Sequence, residues 1–79
     1  MKLTKLGTKR NIIGPRVKIA RHNKNLTQQQ LMVKLETMAV YIDRASISKI
    51  EQQKRTVTDY ELVALSEVLG VKVEWLLGL

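Results

Sequence analysis

The residues best suited to chemistry lie between Asp43 and Arg55. In a helix opened by Asp43, Ile47, Ile50 and Glu51 gather on one side at about 100° per residue. Ala45, Ser48, Lys49 and Gln52 gather on the opposite side, with Arg44 at its edge. Small side chains near the start of such a face permit close approach to a surface. Long donors beside them suit a DNA major groove, where arginine and lysine can donate to guanine O6 and N7. Gln53, Lys54 and Arg55 follow at once, placed for phosphate contacts. Phosphate contacts set register, and base-edge contacts set sequence preference. Any one of these residues alone suits an ordinary solvated position. The cluster is what points to a duplex.

Other chemistries find little material. There is no cysteine, which excludes disulfides, thiolate metal sites and cysteine nucleophiles. The single histidine, His22, excludes a multi-histidine metal site and suits a solvated position. Glu51 has no second acid or nucleophile placed with it, so no catalytic constellation forms and no enzyme is expected. No metal and no cofactor is implied. At 79 residues the chain has room for one domain and a small core. No apolar run approaches the ~20 residues needed to span a bilayer, and the basic N-terminus lacks a signal-peptide core. A soluble cytoplasmic protein with no membrane partner is the expectation. Recognition of single-stranded RNA would need aromatics among the basic residues, and none of the three aromatics is so placed.

Charge supports a polyanionic partner. Fourteen Lys and Arg stand against seven Asp and Glu, for a net charge of +7. Residues 1–35 hold nine positive charges and no acid, whereas residues 56–79 hold one lysine and four acids. Such polarity suits nucleic acid on one side of the molecule.

The elements that must position these residues are announced locally. Thr27 has Gln30 three places on and the apolar pair Leu26 and Leu31 around it. Thr58 repeats the pattern with Glu61, Val57 and Leu62. Both are capping boxes with a hydrophobic staple. Asp43 lacks the reciprocal partner, having Ser46 there, but keeps the staple of Ile42 and Ile47. Pro15 suits the first position of a further helix. Asn25 and Gly70 suit left-handed helix ends. The pattern predicts helices at 15–24, 27–39, 43–53, 58–69 and 73–77, with no strand. Leu31, Leu35 and Met38 form one apolar stripe, Leu62, Leu65 and Leu69 another, and Ile47 with Ile50 a third. Trp75 suits a core plug or a dimer contact. Residues 1–12 read as a flexible basic arm and residues 13–79 as the domain.

The stretches Leu26-Thr27-Gln28-Gln29-Gln30-Leu31, Ile47-Ser48-Lys49-Ile50-Glu51, and Leu69-Gly70-Val71 through Trp75-Leu76-Leu77-Gly78 occur in this order. Together they resemble the Cro/repressor-type (XRE, lambda-repressor-like) helix-turn-helix family, over about Ile13 to Gly78. The resemblance implies an all-α, five-helix fold that binds double-stranded operator DNA in the major groove and mostly regulates transcription as dimers. It implies that Gln28 contacts the DNA backbone and braces the recognition helix. Arg44, Ala45 and Lys49 match positions facing base edges, while Ser46 and Ser48 match positions touching base or phosphate. Lys54 and Arg55 match the backbone-gripping loop. Arg21 and Glu51 match a structural ion pair between the first and third helices. One departure stands out. Glu36 occupies the position of the family's glycine, and seven residues, Glu36 to Ile42, separate Leu35 from Asp43, about five more than usual. The turn region between the second and third helices is therefore lengthened. Met38 continues the stripe, so the added residues are expected to extend the second helix by about one turn and to return Tyr41 and Ile42 to the core.

The expected function is sequence-specific repression by operator occupancy, with a homodimer contact in the acidic C-terminal segment near Leu77 and Leu79. The alternative is an antitoxin-type interaction module that also binds DNA. A toxin or regulatory protein would then be the partner, and the chain shows no extension to bind it unless residues 1–12 serve.

Overall fold

Each local start signal becomes a helix in the computed structural model, which describes residues 8–79. In chain order these are α1 (Gly14–Asn23), α2 (Gln28–Glu36), α3 (Arg44–Glu51), α4 (Asp59–Leu69) and α5 (Val73–Leu77). No strand occurs among the described residues. The five-helix all-α fold is the one expected. Residues 1–7 of the expected basic arm lie outside the described residues.

The caps have the anticipated chemistry. Thr27 Oγ1 accepts from the Gln30 N–H at 3.0 Å, while Gln30 Oε1 accepts from the Thr27 N–H at 2.9 Å. Thr58 and Glu61 form the same reciprocal pair at 3.2 and 2.9 Å. Asp43 Oδ1 accepts from the Ser46 N–H at 2.7 Å. Each cap satisfies a donor that the first helical turn would otherwise leave free.

All five helices end alike. Asn25, Ala39, Gln53, Gly70 and Gly78 have positive φ. Each donates its N–H to the carbonyl three residues back, and the next residue donates to the carbonyl five back; Ala39 to Glu36 at 2.9 Å and Val40 to Leu35 at 3.1 Å are one such pair. These paired bonds are the Schellman closure. Asn25 and Gly70 were expected here, but Ala39 and Gln53 were not.

The lengthened connection follows from Ala39. As a hydrogen-bonded helix, α2 stops at Glu36 instead of reaching residue 39. Residues 37–39 turn, and the chain then runs without regular structure to Asp43. Ile42 is 2% exposed and does enter the core. Tyr41 is 77% exposed, which corrects the expectation that it would return with Ile42.

The core joins Val17 and Ala20 of α1, Leu31 and Leu35 of α2, Ile47 and Ile50 of α3, Ala64, Leu65 and Leu69 of α4, and Leu76 of α5. Met38, Leu62 and Trp75 are half-buried against it. The Arg16 guanidinium lies over the Trp75 ring, 5.0 Å from its centroid. Leu77 also packs on the core, so of the two leucines expected at a dimer contact only Leu79 is exposed. The α3 helix packs against both α1 and α2, which pins its inner side.

Candidate nucleic-acid interface

The outer side of α3 owes its direction to the inner one. Ile47 and Ile50 are each 1% exposed and fix the rotation of the helix about its axis. Arg44, Ala45, Lys49 and Gln52 are left exposed, with Ser46 and Ser48 half-buried. A shallow depression on this surface is lined by Gln28, Arg44, Ala45, Ser48, Lys49, Gln52 and Lys54. Three of these residues are cationic and none is acidic. Gln52 lies on this face, as its periodicity predicts. Its Nε2 donates to Ser48 Oγ at 2.9 Å, a pairing allowed by their separation of four residues.

A buried network holds the helix in place. Arg21 of α1 donates through Nε to Glu51 Oε2 at 2.6 Å and through Nη2 to Glu51 Oε1 at 3.0 Å. Arg21 Nη1 donates to the Leu26 carbonyl at 2.7 Å. Gln28 Nε2 reaches Glu51 Oε1 at 3.1 Å. The expected ion pair is thus formed, and the expected brace from Gln28 ends on the same carboxylate. The two charged side chains are 8% and 4% exposed, yet none of the described buried side-chain nitrogens and oxygens lacks a partner.

Two of the expected phosphate contacts have other partners. Arg55 donates from Nη1 and Nη2 to Glu61 at 3.0 and 2.9 Å, and from Nη1 to the Thr56 carbonyl at 2.9 Å. This fork-to-fork pair ties the loop after α3 to the capping box of α4. The Arg55 hydrogen bonds hold the Glu61 carboxyl below its ordinary pKa, against an opposing effect of burial. The same bonds raise that of Arg55. Gln53 terminates α3, with φ of 62°, and its Nε2 donates to the Asn11 carbonyl at 3.1 Å. Both residues therefore shape the loop, leaving Lys54 as the exposed cation within it. Asp43 also titrates below its ordinary value, chiefly because the Ser46 N–H and then the Ser46 hydroxyl bind its charged form.

A clasp that no sequence motif marks surrounds the end of α3. Asn11 Nδ2 donates to the carbonyls of Ile50 and Arg55 at 3.0 and 2.8 Å, while Oδ1 accepts from the Gly14 N–H at 2.8 Å. The Arg10 N–H donates to the Gln53 carbonyl at 2.9 Å. Arg10 and Asn11 were assigned to a flexible arm, but these bonds tie them to the domain. Gly14 completes the clasp by lacking a side chain. A Cβ there would press into the carbonyl oxygens of Ile50 and Glu51. No local pattern announces a bond between residues some 40 positions apart.

A family model described as helix-turn-helix matches residues 17–76. No curated protein matches the chain. The matched span contains α2, α3 and the depression between them.

Proposed function

The chain belongs to the lambda-repressor-like helix-turn-helix family, a DNA-binding regulator type, and on that premise we propose that it represses transcription by occupying a specific operator. In this reading α3 enters the major groove. Arg44 and Lys49 donate to base edges, Ala45 permits the close approach, and Ser46 and Ser48 make shorter contacts. Gln28, at the start of α2, takes a phosphate where free N–H groups and the helix dipole favour an anion. Lys54 takes a second phosphate. The observation that carries this is the depression beside α3, which three cations line without any acid.

Occupancy alone suffices for repression, because a protein seated on a promoter excludes other proteins from it. Two copies on a two-fold operator would set their recognition helices one turn of DNA apart, ~34 Å. The protein would act in the cytoplasm, with its DNA. No helix of the described residues is long and apolar enough to cross a membrane. Selection of bound sites from random duplex DNA tests the proposal. Enrichment of a two-fold symmetric site is expected, and recovery of no preferred sequence would overturn it.

A further inference from the structure

The loop after α3 offers fewer phosphate contacts than its sequence promises, because the Arg55 guanidinium is paired with Glu61 at 2.9 Å. The main chain of another cationic residue, Arg10, runs past this loop, and Arg10 lines a depression with Thr56, Thr58 and Asp59 just beyond it. The Arg10 N–H donates to the Gln53 carbonyl at 2.9 Å, which fixes the Arg10 main chain next to the residue preceding Lys54. Gln53 Nε2 returns a bond to the Asn11 carbonyl, and Asn11 Nδ2 grips the Arg55 carbonyl at 2.8 Å. The main chain at residues 10 and 11 is thus held from several directions. Arg10 is exposed and has no ion-pair partner among the described residues.

We infer that Arg10 is a phosphate-contacting residue of the DNA interface, supplying the charge that Arg55 withholds. The inference rests on the DNA-binding reading above and adds a residue from outside the helix-turn-helix. Its advantage is preorganisation. A cation on a docked segment loses less freedom on binding than one on a free arm. The phosphate-facing surface then runs from Lys54 across to the segment before α1.

The test is a titration of the full chain against a short random-sequence duplex at several salt concentrations. Arg10→Ala should reduce the magnitude of the log–log salt slope by about 0.9, the share of one phosphate. Arg10→Lys should restore it, since the charge is what counts. Lys72→Ala, at the start of α5, should leave the slope unchanged. The main-chain bond of Arg10 survives each substitution at that position, so these variants keep the fold. If Lys54→Ala lowers the slope while Arg10→Ala leaves it at the wild-type value, the inference is overturned and the DNA-binding reading stands. A wild-type chain with no salt-dependent affinity overturns both.

Discussion

Glu51 receives three hydrogen bonds from two residues on different helices, and all of them would be lost with its carboxylate. Glu51→Ala would strand Arg21 in the interior with only the Leu26 carbonyl and a distant His22 nitrogen as partners. Removing one member of a buried pair costs about 3–5 kcal/mol. Urea denaturation should show a loss of that order, with DNA affinity falling because α3 is no longer held. The pair was legible through the motif that contains Glu51. The roles of Arg55 and Gln53 were not. Their identities suit phosphate equally well, and only the folded chain brings Glu61 and Asn11 to them. A cation in sequence is a candidate contact until its nearest carboxylate is known.

The starts of the elements were written more plainly than their ends. A capping box is a contact over three residues, so Thr27 with Gln30 and Thr58 with Glu61 could be read directly. A Schellman closure is legible when glycine or asparagine marks it. Ala39 adopts positive φ without either, so α2 was expected to run three residues too far. Its Cβ resists the left-handed conformation by roughly 1–2 kcal/mol. Ala39→Gly should recover much of that, tempered by the freedom glycine adds to the unfolded chain. We expect a net gain of about 0.5–1 kcal/mol, and about 4–8 °C in Tm per kcal/mol for a domain of this size. Differential scanning calorimetry would measure it, and an unchanged or lower Tm would contradict the role given to Ala39.

Acid stability also belongs to the elements. Asp43 and Glu61 both titrate lower in the folded chain than normally. Their contributions are present above the ordinary carboxylate range, near pH 4. They fade as pH falls through the folded values, since the unfolded chain then takes up more protons. Melting temperature should therefore drop on acidification below that range. Glu61→Gln, which keeps a capping partner but no charge, should melt lower at neutral pH and show a shallower acid limb. A limb as steep as the wild type's would remove Glu61 from the account.

Across the whole molecule, charge is unevenly divided along the chain, while the cations beside α3 are Arg44, Lys49 and Lys54. Residues 1–35 carry nine cations and no acid, and the depression beside α3 contains no acid either. The polarity was visible in the sequence because it is a property of composition. The clasp at Asn11 and Gly14 was not, because it depends on how closely α1 approaches the end of α3. That approach holds Arg10 and Asn11 against the end of α3. It turns part of an expected arm into part of the domain.

In the proposed binding mode, α3 discriminates between sequences while its neighbours hold phosphates. It is tested most directly by titrating a selected site and a scrambled duplex with wild type, Arg44→Ala, Lys49→Ala and Lys54→Ala. Arg44→Ala and Lys49→Ala should each lower the ratio of the two affinities by about 1–3 kcal/mol per lost base contact, while Lys54→Ala weakens both duplexes alike and keeps the ratio. If all three variants leave the ratio at its wild-type value, α3 does not read the sequence.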